Sequence, residues 1–257
     1  MVEAAYKHHG LDFRYLNCEV LPKDLGAAVA GARAMNWAGF NCSLPHKVEV
    51  ISHLDGLGES ASLIGAVNCV VARDGKYIGE NTDGKGFLTS LKLVINPADK
   101  NVVIFGAGGA ARAIAVELAL AKMKKIIVVN RNRDRGMGLV DLINSKTDSK
   151  AEFVPWDNAY KLSSDTDILV NCTSIGMSPD LDARINLDDN SLRKEMVVAD
   201  VIVNPPMTNL LKTAESKGCR LVNGLGMVVN QAVLGIKYWT GQDVDPEVMR
   251  KKLLEVL

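Results

Sequence analysis

The sequence is poor in cysteine, histidine, aromatic side chains and net charge, and each shortage removes a class of function. The five cysteines, at 18, 42, 69, 172 and 219, are odd in number and scattered, with no C-x-x-C pair. That pattern excludes a disulfide framework and a zinc ribbon and fits reduced thiols in a cytoplasmic protein. Only four histidines occur, and neither His46 nor the adjacent His8 and His9 has metal-ligand spacing, so no metal is expected. Thirty basic residues balance thirty acidic ones, for a formal net charge of zero. No global field therefore draws the chain to nucleic acid or to an anionic membrane. No apolar run approaches the roughly 20 residues that cross a bilayer, and the N-terminus lacks a signal-type charged and apolar pair of segments. A small-molecule partner, met by a monomer or homodimer, is the expectation.

What the chain does have is alternation. Short β-branched runs take turns with longer segments of helical period, the pattern of βα units on a largely parallel sheet. Strands are expected at 12–18, 38–43, 67–72, 76–80, 101–105, 125–130, 151–154, 167–171, 197–202 and 219–222. Helices are expected at 22–35, 84–94, 109–121, 132–145, 208–217, 225–239 and 245–255. Asp74 and Gly75, between two strand-like runs, read as a hairpin turn. There is no repeat and no low-complexity linker, and 84–100 is a plausible crossing between domains.

Gly106, Gly108 and Ala111 satisfy G-x-G-x-x-A directly after the run NVVIF and directly before a helical pattern. In that context the first glycine permits a tight turn, the second admits a pyrophosphate, and the helix N-terminus faces the phosphates. At the end of the next strand, an Asp or Glu would bind the ribose hydroxyls of NAD. The chain offers Asn130 and Arg131 there instead, followed by Arg133 and Arg135. Guanidinium groups pair with a 2′-phosphate and stack on adenine, so NADP is expected before NAD, the competing reading being a solvated basic loop.

Three polar residues of the first third lie at element ends: Lys47 in GFNCSLPHK, Asn68 in GAVNCV and Asp83 in GENTDGKG. Singly they read as a surface lysine, a turn residue and an N-cap. Beside a dinucleotide fold they suggest a site for a polyhydroxylated substrate.

These motifs, with GAGGAAR at 106–112, NRNRDR at 130–135, NCTSIGM at 171–177, NPPMTNLL at 204–211 and NGLGMVVNQA at 223–232, resemble the shikimate dehydrogenase family, quinate/shikimate relatives included, over nearly the whole chain. The resemblance implies an α/β fold of two lobes. Residues 1–83, closed by C-terminal helices at 225–257, would bind substrate. Residues 84–224 would form a Rossmann-type doubly wound parallel sheet for NADP. It implies reversible, NADPH-dependent reduction of 3-dehydroshikimate to shikimate, with Lys47 and Asp83 as the catalytic pair. Ser43, Asn68 and Gln231 would contact ring hydroxyls. Gly106, Ala107, Gly108, Gly109 and Ala110 would hold the pyrophosphate. Asn130, Arg131, Arg135 and Thr173 would complete the cofactor contacts, with Val201 and Gly224 near the nicotinamide. Departures from the family are Ser43 for a Thr and Val203 for a Tyr. The family's opening strand and Ser-x-Ser loop, which supply two hydroxyls to the substrate carboxylate, have no counterpart after Met1. An NAD-linked quinate/shikimate dehydrogenase and a non-catalytic dinucleotide-binding relative are the alternatives.

Overall fold

The computed structural model describes residues 1–257. It divides at Asp83/Gly84 and at Val228/Val229 into two units, the first built from both ends of the chain.

The first unit joins Met1–Asp83 to Val229–Val256. Its elements in chain order are α1 (Val2–His8), α2 (Leu25–Ala34, entered through a 3-10 turn at Pro22–Asp24), β1 (Gly39–Asn41), α3 (His46–Glu49), β2 (Gly56–Leu57), α4 (Glu59–Ile64), β3 (Cys69–Arg73) and β4 (Lys76–Glu80). The strands order as β1-β3-β4-β2, with β1 and β4 antiparallel to β3 and β2 parallel to β4. Asp74 and Gly75 turn β3 into β4 with φ of 50° and 75°. Two consecutive positive φ values are what a two-residue hairpin needs to match strand twist, and Asp-Gly supplies them cheaply. Leu25, Val29 and Ala32 of α2 pack with Val50, Val67, Val70 and Tyr77 into one core.

The strand expected at 12–18 is absent. Phe13 and Tyr15 have the β-forming side chains, but propensity yields a strand only where a partner edge completes the ladder. Here the backbone N–H of Tyr15 is taken by the Glu3 carboxylate.

Unit two opens inside α5 (Thr82–Lys92) and alternates β5 (Asn101–Phe105), α6 (Gly109–Leu120), β6 (Lys125–Asn130), α7 (Arg133–Lys146), β7 (Lys150–Pro155), β8 (Ile168–Asn171), β9 (Val197–Asp200), α8 (Asn209–Ser216) and β10 (Arg220–Val222). All six strands are parallel, in the order β10-β9-β8-β5-β6-β7. Strands covered on both faces need continuous apolar runs, and VVIF, ILV and VVA are buried throughout. The order reverses between β5 and β8, and ligands of open α/β sheets bind outside the strand carboxyl ends at such a switch point.

The chain then returns to the first unit through α9 (Gly224–Thr240) and α10 (Pro246–Leu254). Val229, Ala232 and Ile236 of α9 and Met249 of α10 bury against Val2, Ala5 and Tyr6 of α1. Trp239 donates its indole N–H to the Val70 carbonyl at 2.9 Å, tying α9 to β3. No helix is long and apolar enough to cross a membrane.

Candidate functional site

In the first unit, four elements converge on one amide. Asn68 precedes β3, its N–H bonded to the Glu80 carbonyl and its own carbonyl accepting from Cys42. Its side-chain Nδ2 lies 2.9 Å from Asp83 Oδ1, 2.9 Å from Gln231 Oε1 and 3.0 Å from Thr82 Oγ1. Its Oδ1 accepts the Thr82 backbone N–H at 2.7 Å, fixing the first turn of α5. The second Asp83 oxygen accepts from Lys47 Nζ at 2.6 Å. Lys47 rides on α3, anchored where its carbonyl accepts the Val67 N–H at 2.7 Å.

The chemistry follows from this arrangement. Asp83 takes a neutral donor on one oxygen and a cation on the other, so the carboxylate is held in place and holds Lys47 in turn. An ammonium has three N–H donors, and the Lys47 side chain keeps 28% of its surface exposed. It has donors left for an incoming carbonyl or alkoxide oxygen.

Ser43 is not part of this network. It is exposed, and its hydroxyl meets only the Leu44 carbonyl, at 3.5 Å. Sequence reasoning missed three members that the structure brings in. Thr82 is fully buried against Asn68. Asn41 donates to the Asn68 carbonyl at 2.8 Å, and Tyr15 donates its hydroxyl to Asn41 Oδ1 at 2.7 Å. The available signal was polar identity at strand ends: Asn41 closes β1 and Thr82 opens α5 two residues beyond the last residue of β4. A recess of ≈ 360 Å³ opens beside Gln231, with Tyr15, Asn17 and Asn41 among its walls.

In the second unit the site is mostly backbone. Gly106 directly follows β5 with φ of 104°, a conformation that side-chain-bearing residues rarely adopt. A Cβ there would also press on the Cys172 carbonyl oxygen at 3.1 Å and on Thr173 Cγ2 at 3.3 Å. Positions 108 and 109 open onto free space, and Ala107 and Ala110 flank them half-buried. Gly108 caps α6 without any side-chain hydrogen bond, and no acid occupies the first turn. The amide donors of that turn thus face an open approach suited to a diphosphate.

At the end of β6, Asn130 donates to the Asn132 carbonyl at 2.8 Å, and Asn132 caps α7 by accepting from the Arg135 N–H at 2.9 Å. Arg131, Arg133 and Arg135 are all exposed, and the last two sit in the first turn of α7. Cations at a helix N-terminus oppose the macrodipole by about 0.3–1 kcal/mol each. An anion bound there reverses that sign, which a 2′-phosphate would do. Thr173 gives its N–H and hydroxyl to Asn171 Oδ1, at 2.9 and 2.7 Å. Val201 and Gly224 are neighbours: a Cβ on Gly224 would lie 2.6 Å from the Val201 carbonyl oxygen. These residues fit a phosphorylated dinucleotide along the carboxyl ends of β5, β6, β8 and β9.

Comparison with known proteins places the chain among sequences of one family. Residues 1–70 match the shikimate dehydrogenase substrate binding domain, residues 90–210 match shikimate/quinate 5-dehydrogenase, and residues 224–254 match the shikimate 5′-dehydrogenase C-terminal domain. The NADP(+) shikimate dehydrogenase of Methanocaldococcus jannaschii is 41% identical over 257 residues, covering 99% of this chain and 90% of that one. A solved shikimate dehydrogenase in complex with NADP+ superposes with a TM-score of 0.88 at 39% identity, over 99% of this chain and 88% of its own. The ligand-free 5-ketofructose reductase of Gluconobacter sp. strain CHM43 superposes with a TM-score of 0.97 at 55% identity, over 100% of this chain and 92% of its own. Such identity over nearly the full length means that the chain belongs to the shikimate dehydrogenase family.

Proposed function

We propose that the protein is an NADP-dependent oxidoreductase that interconverts 3-dehydroshikimate and shikimate, with Lys47 and Asp83 as the catalytic pair. The observation that carries the reading is the half-buried ion pair of Lys47 and Asp83, fixed from behind by Asn68. Reduction of a ketone adds one hydride to carbon and one proton to oxygen. Bound NADPH supplies the hydride. Lys47 stabilises the charge that develops on oxygen and gives it the proton, while Asp83 keeps the ammonium aimed. Lys47 remains exposed enough to recover that proton from solvent. Gln231 and Asn68 offer amide groups to the neighbouring hydroxyls, and Ser43 adds a hydroxyl at the rim. Gly106, Ala107, Gly108, Gly109 and Ala110 hold the diphosphate. Arg131 and Arg135 hold the 2′-phosphate beside Asn130. Thr173, Val201 and Gly224 border the nicotinamide. The protein acts in the cytoplasm, as a monomer or homodimer.

A second reading has a specific observation behind it. The 55% identity to a 5-ketofructose reductase exceeds that to the shikimate dehydrogenases above. Val203, where the family has a Tyr, also removes a hydroxyl donor from the substrate side. In this reading the ketone belongs to an uncharged sugar, and the roles of Lys47 and Asp83 are unchanged. Steady-state rates with NADPH on 3-dehydroshikimate and on 5-ketofructose decide between them. A kcat/KM at least tenfold higher for 3-dehydroshikimate supports the first reading, the reverse ratio supports the second, and no oxidation of NADPH with either rejects both.

A further inference from the structure

One buried acid has no part in the mechanism above. Asp200 ends β9 with 1% of its surface exposed, and no cation accompanies it. Its carboxylate receives Asn171 Nδ2 on both oxygens at 3.1 Å, the Ile202 N–H at 3.0 Å and the Thr208 hydroxyl at 2.7 Å. Every group facing it is a donor, so the ionised form is the one the pocket satisfies. Burial pushes this carboxyl above its ordinary range, and the bonds from Asn171, Ile202 and Thr208 pull it back. A buried anion without a countercharge is expensive, so what it holds in place is informative.

It holds two loops. On one side Asn171 passes the connection to Thr173, whose hydroxyl in turn accepts the Ile175 N–H at 3.1 Å. That loop lies against the glycine turn at Gly106. On the other side Asp200 fixes the backbone at Ile202, and the Val201–Ile202 carbonyls are the surface on which Gly224 rests. Thr208, bonded to the same carboxylate, caps α8 by accepting the Leu211 N–H. The glycine turn and the arginines lie at the ends of β5 and β6, on the adenosine side of the switch point. The two loops tied by Asp200 follow β8 and β9 on its other side, where the second half of a dinucleotide belongs.

We propose that Asp200 is a positioning residue for the nicotinamide half of the cofactor: it sets the spacing of the Thr173 loop and the Val201–Ile202 segment and never touches the ligand. The inference rests on the NADP reading above. Asp200→Asn keeps the shape but turns one acceptor into an amide that faces donors.

The test compares two ligands and turnover. NADP+ and adenosine 2′,5′-bisphosphate, which lacks the nicotinamide half, are titrated calorimetrically into wild type and Asp200→Asn, and kcat is measured with NADPH. The expected result is a tenfold or larger loss of NADP+ affinity and of kcat, with bisphosphate affinity within twofold of wild type. A purely structural role would weaken both ligands alike, and that result overturns the proposal, as does no change in either. Thr208→Val, which keeps the carboxylate and removes one donor, is expected to move NADP+ affinity and kcat two- to fivefold in the same direction, again sparing the bisphosphate. Should Asp200→Asn not fold, an unaffected Thr208→Val overturns the proposal. Wild type that binds no NADP+ rejects the functional reading itself, a result distinct from equal loss of both ligands.

Discussion

The two units solve the problem of holding a charged group in opposite ways. In the first, Asp83 is paired with a lysine, both side chains keep part of their surface in solvent, and the donor on its other oxygen, Asn68, is itself held by Gln231 from 163 positions away. In the second, Asp200 is sealed from solvent, has no countercharge, and collects its donors from within 29 residues. The first arrangement can exchange a proton and change its hydrogen bonds as a substrate reacts. The second can do neither cheaply, and what it offers is fixed spacing. Chemistry is therefore expected from side chains of the first unit and binding geometry from the backbone of the second.

The sharpest way to break this division is Lys47→Ala. Loss of a general acid costs about 10²- to 10⁴-fold in rate, and kcat is expected to fall by that much while NADPH affinity, read by fluorescence titration, stays within twofold. Equal damage to cofactor affinity would mean that the units do not divide the work as described. Next in size is the paired substitution Arg131→Ala with Arg135→Ala. Charge-assisted bonds to a phosphate predict a loss of about 2 to 4 kcal/mol for NADPH, roughly 30- to 700-fold. NADH binding and kcat at saturating cofactor should hardly move. If NADH weakens equally, the arginines serve something other than a 2′-phosphate.

The smallest effect concerns the thiols. Cys18, in the first unit, is exposed, whereas Cys42 is buried and its pKa is pushed up to about 11 by that burial. Burial also raises the thiol pKa of Cys172 and Cys219 in the second unit. A thiolate reagent at pH 8 should titrate one cysteine quickly and the other four only on unfolding. Rapid reaction at Cys172 or Cys219 would contradict the rigidity assigned to the second unit.

How legible these regions are in sequence differs for the same reason. The glycine turn, the helix it opens and the arginines after β6 occupy 30 consecutive residues, 106–135, so local pattern displays them together. The hub of the first unit depends on Asn68 meeting Gln231 across 163 positions, which no periodicity reports. Lys47, Asn68 and Asp83 stand out as polar residues at element ends, whereas their roles and Gln231 come through the family's motifs. Asn41, Thr82 and Tyr15 became visible only as neighbours in space. Short elements also escaped notice. Helix α4, at Glu59–Ile64, is too brief to show a period, though its stop at Gly65, with φ of 70°, follows the rule for left-handed helix ends. Two-residue β2 exists only because β4 lies parallel beside it. Conversely, 12–18 shows strand composition with no ladder to join. Asp200 carried a signal, an acid closing a buried apolar strand, but its purpose depends on Asn171 and Thr208 coming to it from either side.

The return of α9 and α10 to the first unit sets a schedule for biosynthesis. Val2, Ala5 and Tyr6 are made long before Val229, where the partners that bury them begin. The 222 residues of 7–228, with 84–228 of the second unit among them, must be made in between, a delay of roughly 11 to 44 seconds at about 5–20 residues per second. The cofactor unit, contiguous in sequence, can close while α1 still shows its apolar face to solvent. During that interval the nascent chain offers chaperones an unfinished first unit and a finished sheet. A premature stop near residue 228 would leave a dinucleotide-binding fragment intact and strand the Lys47–Asp83 half without the helix that carries Gln231.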